Sequence, residues 1–176
     1  MSSILVAGIG NIFMGDDAFG VEVVRRMRSR PLPAEVEVVD FGIRGLALTY
    51  ALLDRYDAAV LVDTAPRGGA PGTLYVIEPE AAGLPALPAF HDLDPAHVLQ
   101  TVRAMNGRCR RILLVGCEPE SFGDELDGRM GLSPPVAAAV DRAMEKVVSL
   151  LEVLRQESAD GLGQAAVGTE ACHENG

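Results

Sequence analysis

The stretch Gly8-Ile9-Gly10-Asn11-Ile12-Phe13-Met14-Gly15-Asp16-Asp17-Ala18-Phe19-Gly20 constrains the fold more than any other part of the chain. Ahead of it, Ile4-Leu5-Val6-Ala7 is a continuous apolar run of the kind that forms a buried parallel strand. Behind it, Gly20, Val23, Val24 and Met27 share one face at helical spacing, with Glu22, Arg25, Arg26 and Ser29 opposite. The stretch is therefore a strand-to-helix connection, the repeating unit of α/β folds. It carries two adjacent carboxylates to the carboxyl end of a strand, where open α/β sheets place their sites. Two acids in an apolar, glycine-rich turn are costly unless they cap, pair or bind something.

The rest of the chain repeats the alternation. Pro31-Leu32-Pro33 stops the first helix. A second strand is predicted over 35–40, a flexible turn at Gly42-Ile43-Arg44-Gly45, and a helix over 46–55 with Leu48, Leu52 and Leu53 inward. The nearly all-apolar 57–63 is a central third strand, closing on Asp63. A short Gly/Pro-rich link leads to a fourth strand over 73–77; it is too short for a helical crossover, so this strand lies antiparallel at an edge. An irregular connection over 80–90 precedes His91, and Asp94-Pro95 opens a helix over 95–105 that turns Val98, Val102 and Met105 inward. The fifth strand covers 111–117 and a polar loop 118–129. A last helix begins at Ser133-Pro134-Pro135 and buries Val136, Val140, Ala143, Val147, Leu150, Leu151 and Leu154, ending near Arg155. The expected architecture is a three-layer α/β/α sandwich on a mostly parallel five-stranded sheet with one antiparallel edge strand.

At 176 residues the chain suits one domain, expected over 1–155. From 156 there is no Lys or Arg and much Gly and Ala, which predicts a disordered tail over 156–176 holding Cys172 and His173. A formal net charge of −10 argues against nucleic acid as a partner. No apolar run reaches the roughly 18 residues of a membrane span, and no basic region precedes an apolar core at the start, so a cytoplasmic protein is expected. Cys109, Cys117 and Cys172 are scattered without CxxC spacing and indicate neither a disulfide framework nor structural zinc.

One of Asp16 and Asp17 is expected simply to cap the helix, leaving the second as the better functional candidate. Asp63 ends its strand at the same edge. His97 reads as an exposed helical residue, whereas His91 stands in a loop before a helix. Asp17, Asp63 and His91 together suit a first-row divalent metal or a general acid–base centre. Two other readings stay open. Cys117, with His91 and Asp63, makes a hydrolase triad conceivable, although buried cysteines at strand ends are usually packing residues. Gly8-x-Gly10 with Asp40 at the end of strand two suggests a dinucleotide site, although Phe13 occupies the third glycine position.

The opening GIGNIFMGDDAFG closely resembles the N-terminal signature of the NiFe-hydrogenase maturation endopeptidases: glycine-x-glycine-asparagine, apolar residues, an acidic pair, then a glycine in the first helix turn. The resemblance runs from Ile4 to about Leu154, and takes in Asp40-Phe41-Gly42-Ile43-Arg44-Gly45, Val62-Asp63, His91 and Gly116-Cys117-Glu118-Pro119. It implies an endopeptidase that removes a short C-terminal extension from the hydrogenase large-subunit precursor once nickel is inserted. The nickel is carried by the substrate, and no tightly bound cofactor of the protease's own is expected. The family's metal-contacting and catalytic trio falls on Asp17, Asp63 and His91. Many members have glutamate in place of Asp17, so the arm here is shorter. Gly42, Ile43, Arg44 and Gly45 are expected near the substrate, and the protein is expected to act as a monomer. Gly8 and Gly10 are assigned to the turn after the first strand, and Gly20 to close approach of helix and sheet.

Overall fold

The opening apolar run forms strand β1 (Ile4–Ile9), buried along its whole length in this computed structural model, which describes residues 3–78, 95–123, 128 and 130–167. With β2 (Val36–Gly42), β3 (Ala58–Thr64), β4 (Leu74–Ile77) and β5 (Arg111–Cys117) it makes a five-stranded sheet in the order β2-β1-β3-β5-β4. Strand β1 pairs parallel with β2 and β3, β3 pairs parallel with β5, and β4 runs antiparallel to β5 at the edge. The mostly parallel sheet and its antiparallel edge strand are those predicted from the sequence.

Helices α1 (Phe19–Met27), α2 (Gly45–Asp54), α3 (Pro95–Ala104) and α4 (Pro134–Val167) supply the outer layers. Side chains alternate across a strand, so β1 feeds both faces. Ile4 and Val6 join Val60, Val62 and Val115 under α1 and α4, packed by Phe19, Val23, Val24, Met27, Val136, Val140 and Val147. Leu5 and Ala7 join Leu61, Ile112 and Leu114 under α2 and α3, packed by Leu48, Leu52, Val98 and Val102. The result is the expected α/β/α sandwich. No helix of the described residues is long and apolar enough to cross a membrane.

Several local expectations are corrected. Met105 is 60% exposed, because α3 ends at Ala104 and Asn106 turns the chain with a φ of 55°. Leu53, half-buried, does face inward and packs against the core under α2 and α3. The last helix continues to Val167 instead of ending near Arg155; Gln156-Glu157-Ser158-Ala159 contains no breaker, and Glu157 pairs with Arg111. The predicted tail is thus helical over 156–167, while 168–176 lie outside the described residues. The connection over 80–90 and His91 also lie outside them. Gly8 has no positive φ; its need for glycine is the contact of β1 with α1, where a Cβ would strike the Gly20 carbonyl and Val24.

The connection that leaves β1 runs to β2 on one side of the sheet centre, and the one that leaves β3 runs to β4 on the other. The crevice at the carboxyl ends of β1 and β3 is the switch point at which such sheets bind ligands.

Candidate active site

Beyond β1, Gly10 turns the chain with a φ of 135°, and its N–H donates to the Gly42 carbonyl at 3.0 Å. A short 3-10 turn over Gly15–Ala18 then leads into α1. On the first face of α1, a Cβ at Gly20 would run into the Val62 and Ile9 carbonyls, so the helix starts directly over the crevice between β1 and β3.

Neither aspartate caps the turn it stands in, since the capping position, Met14, makes no side-chain hydrogen bond. Asp17 is half-buried, and its Oδ2 reaches back to accept the Asn11 N–H at 2.7 Å. Asp16 is only 1% exposed and faces another part of the molecule. Its carboxylate accepts the Ser133 N–H at 2.6 Å, the Ser133 hydroxyl at 2.9 Å, and the Glu120 and Ser121 N–H groups at 2.8 and 3.0 Å. Burial works to raise its pKa, but these four donors outweigh it and hold the carboxyl below its ordinary value. The expectation that one acid is a plain helix cap is therefore corrected: Asp16 ties two distant loops together.

Asp63 stands near the end of β3, opposite Gly116 of β5, and its Oδ1 accepts the Thr64 N–H at 2.7 Å. Burial pushes its carboxyl up to about 7, and the negative charge of Asp17 pushes the same way against the Thr64 N–H. The structure thus brings Asp17 and Asp63 into one crevice, close enough to feel each other. A carboxyl that gains and loses a proton near neutral pH is suited to acid–base work. The third member of the expected trio, His91, lies outside the described residues. Among the described residues no group of three or more His, Cys, Asp or Glu is gathered as a metal site.

The loop expected near the substrate lies beside this crevice. Gly42, with a φ of 55°, fastens it to Gly10; Ile43 is 75% exposed. Arg44 donates to the Asp40 and Phe41 carbonyls at 2.5 and 3.1 Å, and Gly45 begins α2.

The two rival readings fare poorly on geometry. The Cys117 thiol is fully buried in the core under α1 and α4, and burial pushes it up to about 12. A thiol held that firmly protonated is no nucleophile. A dinucleotide would need the turn's N–H groups for its phosphates, yet the Asn11 N–H is taken by the Asp17 carboxylate and Asp40 is paired with Arg25 at 3.4 Å. Two neighbouring carboxylates would repel the phosphates as well.

Glu118 is a residue whose role the sequence reading missed. It is 5% exposed, and its carboxylate accepts the Arg67 and Gly68 N–H groups and the Tyr75 hydroxyl at 2.9, 3.1 and 2.8 Å. It thereby shapes the loop leaving β3 just after Asp63. The available signal was an acid directly following an apolar strand, where burial demands partners.

A family model described as hydrogenase maturation protease (HycI) matches residues 21–150. The chain is 34% identical over 170 residues to the hydrogenase 2 maturation protease of Escherichia coli (strain K12), covering 93% of this chain and 98% of that one. It is 32% identical over 170 residues to the hydrogenase expression/formation protein HupD of Rhodobacter capsulatus, covering 90% and 75%. Among solved structures, it superposes on the hydrogenase maturating endopeptidase HybD from E. coli with a TM-score of 0.71 at 30% identity, covering 85% of this chain and 92% of that chain. A hydrogenase 2 maturation peptidase from Thaumarchaeota archaeon SCGC_AB-539-E09 matches with a TM-score of 0.67 at 28% identity, covering 85% and 98%. The likeness holds in sequence and in fold, and on both grounds this chain belongs to the hydrogenase maturation protease family and is a hydrogenase maturation endopeptidase.

Proposed function

We propose that this endopeptidase removes the C-terminal extension of a NiFe-hydrogenase large-subunit precursor once nickel has been inserted, and that Asp17, Asp63 and His91 contact the nickel of that substrate. The observation that carries the reading is the placement of Asp17 and Asp63 together at the switch point, with the Asp63 carboxyl pushed up to about 7. Nickel already held by substrate thiolates accepts further carboxylate and imidazole ligands readily. Such contacts exist only with loaded substrate, so cleavage waits for insertion. The protease carries no cofactor of its own and works as a monomer in the cytoplasm. The Gly42-Ile43-Arg44-Gly45 loop steadies the substrate backbone alongside.

The test is intact-mass spectrometry of the precursor, nickel-loaded and metal-free, with wild-type protein and with Asp17→Ala, Asp63→Ala and His91→Ala. Loss of one C-terminal peptide from the loaded form alone, abolished in each variant while circular dichroism is unchanged, supports the reading. A fully active Asp63→Ala removes that residue from the mechanism, and equal cleavage of metal-free precursor removes nickel from recognition.

A further inference from the structure

Asp16 makes an unusual set of contacts for a residue in a tight turn. Its partners are more than a hundred positions away: Glu120 and Ser121 near the start of the segment joining β5 to α4, and Ser133 at its end. The backbone joins in, since the Asp16 N–H donates to the Ser121 carbonyl at 3.1 Å. Gly15 presses on the same carbonyl, where a Cβ would come within 2.9 Å. Ser133 in turn opens α4, its carbonyl accepting the Ala137 N–H at 2.8 Å. One buried carboxylate thus grips both ends of the β5–α4 connection and the first turn of a long helix, with its charge on the favourable end of that helix.

The turn so gripped is the one that presents Asp17. A 3-10 turn has poor hydrogen-bond geometry, and this one has no side-chain cap of its own. A side chain of the turn reaches back towards the chain just after β1, where the Asp17 carboxylate accepts the Asn11 N–H. Asp17 is thus held at two places: its carboxylate by the Asn11 N–H, and the turn that carries it by the Asp16 contacts with Glu120, Ser121 and Ser133.

We propose that Asp16 is a positioning residue for the cleavage reaction: its carboxylate locks the Gly15–Ala18 turn onto Glu120, Ser121 and Ser133 and so holds Asp17 facing Asp63. The inference rests on the reading of Asp17 and Asp63 as the acting pair. Asp16 itself touches no substrate. An asparagine in its place offers one acceptor oxygen to donors that now meet two, and turns an N–H₂ towards at least one of them. Ser133→Ala removes a single hydroxyl from the same clamp and leaves the rest.

The experiment compares wild type, Asp16→Asn, Ser133→Ala, Ser133→Thr and Asp17→Asn by precursor-processing kinetics and by amide hydrogen exchange in the free protein. The expected result is a kcat reduced about a hundredfold in Asp16→Asn and about tenfold in Ser133→Ala, with KM nearly unchanged. Ser133→Thr, which keeps the hydroxyl, recovers the rate. The Asn11 amide exchanges faster in both impaired variants, while Val60 and Leu113 in the central strands stay as protected as in wild type; a loss of general stability would move them all. Wild-type kcat in Ser133→Ala and Asp16→Asn, or an Asn11 amide as protected as before, overturns the inference. Should Asp16→Asn not fold, Ser133→Ala and its threonine rescue decide alone. An active Asp17→Asn overturns the reading of the acidic pair itself; an inactive Asp17→Asn beside a fully active Asp16→Asn overturns only the positioning role.

Discussion

A carboxyl held near neutrality, as at Asp63, ties the chemistry of the site to its cost in stability. Its folded pKa of about 7 lies above the ordinary 3.8, so between those values the folded protein holds a proton that the unfolded chain has released. Stability from this group therefore falls as pH rises from about 4 to about 7 and stays low above it. Asp63→Asn should stabilise the protein at pH 8 by roughly 1–4 kcal/mol and change little at pH 4, as measured by urea unfolding at the two values. The charge of Asp17 supplies part of the elevation, so in Asp17→Asn the Asp63 carboxyl should titrate lower, which carboxyl-carbon NMR reads directly. Asp16 behaves oppositely: held below its ordinary value, it contributes stability that is present above that value and is lost as pH falls through the folded one. Cys117→Ala should leave processing untouched, since the thiol is packed in the core under α1 and α4 and burial keeps it protonated. The second acid of the pair was legible as the functional one because two carboxylates exceed the needs of one cap. The role of Asp16 was not legible, because its partners Glu120, Ser121 and Ser133 become neighbours only through the fold.

At the scale of elements, α1 is seated on the sheet with no room to spare. Gly20 lies against the Val62 and Ile9 carbonyls, and Gly8 against α1 itself. Gly20→Ala should destabilise the protein by at least about 1–3 kcal/mol, as overpacking against backbone leaves nothing flexible to move, and urea unfolding would show it. Strands were readable because central parallel strands are buried on both faces and spell continuous apolar runs, as Ile4-Leu5-Val6-Ala7 and Ile112-Leu113-Leu114-Val115 do. The antiparallel edge followed from a link too short for a crossover. Helix ends were less readable. Met105 continues the apolar period of α3 but falls after its last turn, and α4 runs past Arg155 where composition alone suggested a tail. Periodicity reports which face is buried; it says little about where hydrogen bonding stops.

For the whole molecule, α4 completes the cover that α1 begins over one face of the sheet. Among its described side chains the last fully packed is Leu154, and beyond it the exposed pair of Glu157 with Arg111 ties the helix to the sheet. A chain ending after residue 155 should therefore keep its fold, losing at most about 1 kcal/mol and about 2–4 °C of melting temperature in a calorimetric scan. Removal of all of α4 should abolish cooperative unfolding, since Val136, Ala139, Val140, Ala143, Val147, Leu151 and Leu154 close the core from that side. The order of synthesis gives this arrangement a further meaning. The five strands and the first three helices leave the ribosome before α4, so α1 can settle on Ile4, Val6, Val60 and Val62 while Leu113 and Val115 of β5 await a helix still unwritten. The newborn chain therefore carries a sticky strip along β5 until α4 is made, the kind of exposed apolar surface that chaperones cover.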